Sequence, residues 1–394
     1  MAVKGVFASD QNIVGTRVGD FASSLLQVNP TGSAPMLALT SGMQSRPATD
    51  TIVNWFEEVK LTGRTKVSSV NGNGDGVLFT LADASSYVAG TVLLVEATGE
   101  VLLVTSVSGN TVTVVRSIGG TTATTITTSH YTQRIGNGHA EGSLMPQAVV
   151  NLGDVRFNVT QIFRNAWSIT GTAKAIRYHT GSQVAKNRAD CGFFHAEDIE
   201  RALIWGVKHI GVMDGQPFRL MDGLLAQSTN HGGTVSAQST NTKWSDLLTH
   251  FESVFAVNIK GKPNERITFC GNSVVTVINR IAALNSELEL SQGATEFGLN
   301  VTTLIMPYGR VSLMTHPLMN ENALWSKAMY TWHPGGIQTR YLRSTNIEAY
   351  DKNGTRIAGV DADQGVYTTE LSIQQMAAQT SGIYTGIDTA AAEA

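Results

Sequence analysis

The sequence of 394 residues predicts an α+β protein, and three observations lead to that fold class. Apolar residues recur at helical spacing over residues 182–210 and in two shorter stretches. Short runs rich in Val, Thr and Ile, separated by Gly, Asn and Asp turns, predict many strands elsewhere. The length allows two or more compact units, since domains usually hold about 100–200 residues.

Composition limits the surface chemistry of the chain. Only 15% of the residues are charged, against roughly 25% in typical soluble proteins. Ser, Thr, Asn and Gln must therefore form much of the polar surface, and burying their uncharged groups under another subunit costs less than burying unpaired charges. The net charge of −3 disfavours sequence-specific binding of nucleic acid, because proteins that neutralise phosphates are usually basic.

The chain shows no targeting or membrane signal. The N-terminal stretch MAVKGVFASDQNIVG lacks the apolar run of a signal peptide, and no stretch reaches the roughly 20 apolar residues of a membrane helix. Cys191 and Cys270 form neither a disulfide framework nor a four-ligand zinc pattern. We expect a soluble protein made in the cytoplasm, with both cysteines as small core residues.

Residues 1–50 are polar and weakly patterned, with one short helix expected over 21–26 before Asn29 and Pro30. Such a segment cannot bury enough apolar surface by itself. We therefore expect an N-terminal arm that docks on a neighbouring molecule.

Two long strand-like segments flank a separate β block. Residues 49–63 predict a strand with Phe56 and Trp55 on opposite faces, and residues 154–171 predict a second long strand or a pair of strands. Between them, several short strands and Gly-rich turns predict a small barrel or sandwich. Within it, the stretch GEVLLVTSVSGNTVTVVRSIGG predicts a hairpin turning at Gly109–Asn110.

The strongest helical pattern covers residues 182–210, with Ser182 as the expected N-cap and Gly211 just beyond the end. Its apolar stripe consists of Ile199, Leu203, Val207 and Ile210, and a bend is expected at Cys191–Gly192. At about 1.5 Å per residue, such a helix would be roughly 40–45 Å long, which suits the spine of a domain.

The remaining third alternates helices and strands. The pattern predicts a polar loop over residues 224–243, a helix over 244–256, and a strand followed by a helix capped by Asn272 or Ser273. It then predicts a strand pair joined at Pro307–Tyr308–Gly309. The ending is expected to be strand-rich, with turns at residues 351–354 and 361–365.

No stretch carries a convincing catalytic, cofactor or metal motif. The glycine-rich GNGDG leads into a strand, whereas a phosphate-binding loop needs a helix there. Cys270 follows a strand but has no nucleophile-elbow spacing and no nearby His. The nine His are scattered, and the stretch that begins with residues 361–365 lacks the Asp or Asn at position five and the Glu at position twelve of a calcium loop. We expect no enzyme activity, no cofactor and no metal site.

Four aromatic residues are candidates for contacts between subunits, because long extended strands have two faces and little to bury them against within one chain. The alternative is that they are ordinary core residues. The four candidates are Trp55, Phe56, Phe163 and Trp167.

The order of these parts resembles the Hong Kong 97-type major capsid proteins of tailed bacteriophages, in the subgroup with a β domain inserted in the extended loop. The stretches that carry the resemblance are GDFASSLLQVNPTGSAPMLALTSG followed by TIVNWFEEVKLTG, ATGEVLLVTSVSGNTVTVVRSIGGTT, HPLM at residues 316–319, and TELSIQQMAAQTSGIYTGI.

The resemblance implies a Hong Kong 97-like α+β fold with a small inserted all-β domain. The implied parts are an N-terminal arm (1–50), the strands of an extended loop (51–65 and 139–180), the inserted domain (66–138), a spine helix with a peripheral domain (181–243), an axial domain (244–340) and a strand-rich return with the C-terminus (341–394).

The implied function is structural, because such chains assemble as pentamers and hexamers into an icosahedral head shell around the phage genome. The implied partners are further copies, a separate scaffolding protein, a portal, a cement protein and non-specifically bound DNA, in a virion assembled in the host cytoplasm. One alternative is a fibre or adhesin-type protein with a carbohydrate-binding β module. A second alternative, a hydrolase, is disfavoured by the motif search.

Overall fold

The computed structural model describes residues 36, 45–58, 61, 63–70, 76–178, 181–238, 241–284, 290–296, 299–349 and 361–388. The helix expected over 21–26 and the turn expected at 351–354 lie outside these residues. The chain divides into a smaller unit, Trp55–Arg156, and a larger unit, which comprises Met1–Asn54 and Phe157–Ala394.

Helices and sheets are both present, so the predicted α+β class is confirmed. The strands are β1 Ser45–Pro47, β2 Ile52–Glu57, β3 Arg64–Val70, β4 Leu78–Leu81, β5 Thr91–Val95, β6 Val101–Ser108, β7 Thr111–Val115, β8 Tyr131–Asn137, β9 Asp154–Val159, β10 Gln161–Thr170, β11 His209–Met213, β12 Gln216–Leu220, β13 Thr234–Ala237, β14 Glu265–Cys270, β15 Leu290–Glu296, β16 Leu299–Met306, β17 Gly309–Thr315, β18 Met329–Trp332, β19 Ile337–Ala349, β20 Ala362–Gln375 and β21 Gly382–Thr385. The helices are α1 Gly171–Ala175, α2 Gln183–Trp205, α3 Leu224–Asn230, α4 Trp244–Phe255 and α5 Asn272–Leu284.

Six strands of the smaller unit form a closed barrel in the order β3-β4-β7-β6-β5-β8. Its strands alternate apolar inward residues with more exposed ones, as the period of two in a strand requires. The interior is filled by Val67, Phe79, Leu81, Ala84, Tyr87, Leu93, Val95, Leu102, Val104, Val112, Val114 and Ile126.

The hairpin predicted at Gly109–Asn110 is confirmed, since Ser108 pairs with Thr111 across a two-residue loop. Gly109 has a φ of 57°, a left-handed value that glycine adopts without a Cβ penalty, whereas Asn110 keeps a negative φ. This combination is that of a turn with glycine in its first central position.

Helix α2 begins as predicted, because the Ser182 hydroxyl accepts a hydrogen bond from the Ala185 N–H at 3.4 Å. It runs without interruption through Cys191 and ends at Trp205, so the predicted bend and the predicted end at residue 210 are wrong. A Cβ on Gly206 would lie 2.8 Å from the Met221 carbonyl oxygen, so the chain leaves the helix where only glycine fits. The β-branched residues beyond it form strand β11 instead.

Two sheets and the packed helices form the body of the larger unit. One sheet has the order β1-β19-β20-β10, and the other has the order β13-β21-β18-β14-β17-β16-β15. The main apolar cluster includes Ile199 and Leu203 of α2, Phe269 of β14 and Leu371 of β20. A second cluster lies between α4, α5 and the seven-stranded sheet. The strand pair predicted around Pro307–Tyr308 is confirmed as β16 and β17.

The polar loop predicted over 224–243 is wrong, because it contains α3 and β13. Gln227 and Ser228 of α3 are almost fully buried, and their side chains donate to the carbonyl oxygens of Asp222 and Leu224. A polar composition therefore conceals a buried helix, since buried polar groups cost little when they are hydrogen-bonded.

Two further local predictions need correction. Residues 361–365 are not a turn between strands, because residue 362 begins β20 and pairs with Thr170. Asn272 is the first residue of α5 rather than its cap, and its N–H donates to Asn320 Oδ1 at 2.8 Å. Of the arm, Met36 belongs to the main apolar cluster and β1 pairs in parallel with β19, while the docking of the arm on a neighbouring molecule stays a prediction.

Candidate assembly surfaces

Cys270 ends β14 in a setting that does not suit a nucleophile. Its side chain is fully buried, and its thiol donates to the Met314 carbonyl oxygen at 3.5 Å. Burial raises the pKa of Cys270 to about 12, so the reactive thiolate is scarce at neutral pH. Cys191 is also buried and unpaired, and the expectation that both are core cysteines is confirmed.

The histidines that the sequence singled out occupy packed positions. His195 of α2 is held at both ring nitrogens, by Asn165 Oδ1 and Thr369 Oγ1, each at 2.7 Å. Burial lowers the pKa of His195, which favours its neutral form. His316 and His333 are buried as well, whereas His209 lies exposed on β11.

Within the described ranges, no three His, Cys, Asp or Glu side chains come together as a metal site would require. No described helix is both long and apolar enough to cross a membrane.

The four candidate contact residues lie in different environments. Trp55 is buried and its indole N–H donates to Glu57 Oε1 at 2.8 Å, but the neighbouring Phe56 is 80% exposed. Phe163 belongs to the main apolar cluster of the larger unit, which is the core alternative. Trp167 is half-buried, with its ring against Gly365. Phe56 thus offers the largest free aromatic surface of the four.

Strands β11 and β12 form a hairpin with an apolar, exposed tip. Asp214 and Gly215 both have positive φ, which gives the two-residue turn that matches strand twist. Near the base, Lys208 lies 3.4 Å from the carboxylate of Asp222. Val212 and Met213 at the tip are more than half exposed. Because both side chains are apolar, covering them with another surface is favourable, whereas covering charged side chains would not be.

In the smaller unit, residues 139–153, called the strap here, form neither helix nor strand. Leu144 and Met145 are 92% and 91% exposed, and Val150 and Leu152 are also largely exposed. A segment without helix or strand cannot bury these apolar side chains against its own residues. Exposed apolar side chains of this kind are typical of a surface that binds another molecule.

Comparison with known proteins identifies the chain. The family model of the SU10 major capsid protein matches residues 7–388, almost the whole sequence. The chain belongs to this family. A major capsid protein of Pseudomonas phage PaMx41 is 27% identical over 404 residues, which cover 98% of this chain and 96% of that one.

Solved structures resemble this major capsid protein at low sequence identity. The capsid of Myoviridae phage XM1 is 10% identical, with a TM-score of 0.48 over 97% of this chain and 99% of that one. A chain of Mycobacterium phage Cain is 8% identical, with a TM-score of 0.49 over 99% and 100% of the two chains.

Family membership confirms the resemblance to tailed-phage major capsid proteins, and with it the Hong Kong 97-like fold class. The protein is a structural component of a phage head shell that is built from many copies. The fibre or adhesin alternative is not favoured. The assignment to the subgroup with an inserted β domain stays a prediction.

Sequence reasoning missed two exposed apolar features among the described residues of this capsid protein, the strap and the β11–β12 hairpin. The hairpin was hidden because its residues continue the helical stripe of α2, although Asp214–Gly215 is a hairpin signal. The strap carried a signal too, because LMPQAVVNL is apolar without helical or strand periodicity.

Proposed function

We propose that this chain assembles as hexamers and pentamers into a closed icosahedral shell around the phage genome, in the host cytoplasm, and that it acts without catalysis. The exposed strap carries this proposal. Four of its apolar side chains, Leu144, Met145, Val150 and Leu152, are at least 70% exposed in the single chain, and covering them contributes about 25 cal/mol for each Å² removed from water. A second copy of the chain is the proposed cover.

The parts of the chain take the roles that the family resemblance implies. The arm (1–50) and the extended loop (51–65 and 139–180), which contains the strap, lap over neighbouring copies. The spine helix with the peripheral domain (181–243), the axial domain (244–340) and the return (341–394) build the body of each capsomer. The inserted β domain (66–138) adds a rigid module, and the closed barrel supports that role.

Weak contacts suffice for such a shell. Each copy meets several others, and linked contacts raise the overall stability well beyond that of any one of them. Weak single contacts also let misplaced copies dissociate during assembly. The low charge of the chain suits surfaces that become covered.

Other partners follow from the same function. We propose a separate scaffolding protein, a portal, a cement protein on the finished shell, and non-specific contact with the packaged DNA. The net charge of −3 agrees with weak rather than tight contact with DNA.

The barrel does not favour the carbohydrate-binding alternative. Sugar-binding platforms need exposed aromatic rings, but Phe79 and Tyr87 are each only 3% exposed. Tyr131 is half-buried, and the Arg64 guanidinium carbon lies 3.9 Å from the centre of its ring. The aromatic rings of the described barrel are therefore buried or covered by another side chain, and they do not form a platform for a sugar.

Size measurement and electron microscopy of the purified full chain test the proposal. We expect capsomers or shells for the unaltered protein, and smaller species for the double variant Leu144→Asp with Met145→Asp. Val115→Asp, a half-exposed barrel residue outside the strap, is the matched control and should still assemble. Monomers of the unaltered protein under all conditions would refute the shell. Normal assembly of the double variant would refute only the role of the strap.

A further inference from the structure

One face of the sheet β1-β19-β20-β10 is rich in arginine. Arg46 of β1 pairs with Arg340 of β19, and Arg164 of β10 pairs with Thr368 of β20. Directly paired residues on neighbouring strands point to the same face of a sheet, and so do alternate residues along one strand. The surface formed by Arg46, Arg164, Arg340 and Arg343 is called the arginine face here.

An irregularity in β19 directs two of these arginines to the same face. Arg340 and Arg343 are three residues apart, so a regular strand would direct them to opposite faces, but the register shifts between Tyr341 and Arg343. Arg340 Nε donates to Gln374 Oε1 at 2.9 Å. Arg343 Nε donates to Glu370 Oε2, also at 2.9 Å. Because Gln374 and Glu370 are an even number of residues apart on β20, they share a face, and the bulge adds Arg343 to the arginine face.

Positive charge on the arginine face exceeds negative charge. Glu370 is shared by Arg343 and, at 3.8 Å, by Arg219 of β12. Among the described residues, no carboxylate forms an ion pair with the other three members, Arg46, Arg164 and Arg340. Burial and the positive charge of Arg46 lower the pKa of Arg340, so like charges repel each other there. The net charge of the whole chain is −3, so this excess of positive charge is local, and a bound anion would relieve the repulsion.

Two hydroxyl groups on the same face lack hydrogen-bond partners in the described part of the chain. Ser372 lies opposite Arg340, and Thr368 lies opposite Arg164. Both side chains are more than nine-tenths buried, and neither Ser372 Oγ nor Thr368 Oγ1 has a partner among these residues. A hydroxyl can donate to an oxygen atom of an anion. The face therefore offers neutral donors beside its guanidinium groups.

The exposed end of β19 lies beside this face. Strand β1 pairs with Thr339–Tyr341, and residues 343–347 beyond them are exposed. Within the described ranges, no strand pairs with this end of β19 on the side away from β20. Such an edge presents backbone N–H and C=O groups, to which an extended polypeptide can add as a further strand. Nucleic acid has no matching backbone, so the edge favours a protein partner.

We propose that the arginine face binds an extended acidic segment of another protein. The segment lies along β19 beyond β1 and directs carboxylates at alternate positions, about 6.6–6.8 Å apart, toward the arginines. A guanidinium binds a carboxylate through two parallel hydrogen bonds, so each pair fixes the direction of the segment as well as attracting it.

A second copy of this chain fits the site less well than an acidic segment of another protein. In the described residues outside α2, carboxylates alternate only at Asp361 and Asp363, and Asp363 already pairs with Lys174. The site is a property of the single chain, whereas the place of its partner in the virion rests on the proposed function.

Fluorescence anisotropy of labelled peptides with the full chain tests the site. We expect a ten-residue peptide of alternating Glu and Thr to bind saturably, and the matching peptide of Lys and Thr not to bind. N-methylation of the peptide backbone should weaken binding about tenfold, because it removes the hydrogen bonds to the edge of β19.

Variants of the chain locate the binding. Arg340→Gln should weaken binding of the Glu–Thr peptide about tenfold, because it removes a charged donor but keeps an amide donor for Gln374. Arg340→Lys, which keeps the charge, should bind more tightly than Arg340→Gln. Arg310→Gln, at an exposed arginine of β17 in the other sheet, is the matched control and should change the affinity less than about twofold.

Four other results would overturn the proposal. Absence of peptide binding, or equal binding of the N-methylated peptide, refutes it whether or not the chain forms shells. Binding of a ten-nucleotide single strand that depends on Arg340, without binding of the peptide, would assign the face to nucleic acid. A change of particle size in Arg340→Gln without peptide binding would assign it to a second copy. A chain that stays monomeric but binds the peptide would contradict the proposed function and leave the site intact.

Discussion

The carboxylate of Glu100, just before β6, lies 2.5 Å from Nη2 of Arg116, just after β7, and the two side chains are 0% and 9% exposed. The same carboxylate accepts hydrogen bonds from the backbone N–H groups of Ser117 and Thr124. The ion pair therefore attaches the segment after β7 to the start of β6. Such a pair is costly to break, because removal of one partner leaves a buried charge uncompensated.

Glu100→Ala should destabilise the barrel by about 3–5 kcal/mol, since the largely buried Arg116 guanidinium would lose the carboxylate that balances its charge. Urea unfolding followed by hydrogen exchange of barrel amides measures this loss. Glu96→Ala is the matched control, because Glu96 pairs with Arg64 at the surface and solvent screens that pair. Equal losses of unfolding free energy in Glu100→Ala and Glu96→Ala would contradict the view that burial makes the Glu100–Arg116 pair costly to break.

The barrel should also lose stability in acid. Burial by itself raises the pKa of Glu100, but the hydrogen bonds from Arg116 and from the backbone of Thr124 and Ser117 outweigh it and lower the pKa. The stabilisation is complete above the unfolded value of about 4.3 and is lost as the pH falls through the lowered folded pKa. Thermal unfolding between pH 7 and pH 2 measures the effect, and Glu100→Gln should flatten the curve.

His250 should make the larger unit sensitive to pH in a higher range. It is buried beside Tyr384, its Nδ1 lies 2.9 Å from Ser236 Oγ, and burial lowers its pKa to about 4. The unfolded chain takes up a proton near pH 6.5, so stability falls from there down to pH 4, by about 3 kcal/mol in all. His250→Phe should reduce this slope in urea unfolding, since the buried His195 and His333 contribute the remainder, and an unchanged slope would contradict the role of His250.

Phe56 and Phe163 should respond differently to substitution, although the sequence placed both among the candidate contacts. Phe56→Ser should reduce assembly and leave thermal stability unchanged, because the ring is 80% exposed. Phe163→Ala should cost about 3–5 kcal/mol of folding free energy, because the ring fills the main cluster. Thermal unfolding and size measurement together distinguish the two. A fully assembling Phe56→Ser protein would remove Phe56 from the contact residues.

Replacement of residues 64–137 by a five-residue Gly/Ser linker should leave the rest of the chain folded. The Arg134 N–H donates to the Gly63 carbonyl oxygen at 2.6 Å, so the two sides of the excised segment lie close together. Five linker residues span up to about 17 Å, and Gly138 follows Arg134 by only four residues. Circular dichroism of the shortened protein measures the outcome, and loss of all secondary structure would contradict independence of the two units.

Predictions from the sequence were correct where the hydrophobic periodicity of a segment matched the side that is buried. Helix α2 and the barrel strands follow clear periods of 3.6 and 2, because each has one side facing an apolar core. The end of α2 was misplaced because Val207 and Ile210 continue the helical stripe, although Gly206 already leaves the helix. Tertiary packing around Gly206 determines where α2 ends, and the hydrophobic pattern of the local sequence does not show this end.

Buried polar groups were the second source of error. Gln227 and Ser228 look like loop residues, yet each finds a partner from a distant strand or loop. The pairing of Glu200 with His316 spans 116 residues and follows no spacing rule. The candidate contact residues were chosen as aromatic residues on long extended strands, and neither property distinguishes the exposed Phe56 from the buried Phe163.

Closure of the barrel has a consequence for what the module can bind. A sheet with open edges can recruit a strand from another chain through its backbone, whereas a cylinder whose strands are all paired on both sides leaves no such edge. If the barrel binds another molecule, the contacts must come from its side chains and turns rather than from the strand backbone. Its outer residues can diverge from one virus to the next without endangering the hydrogen-bonded cylinder beneath them.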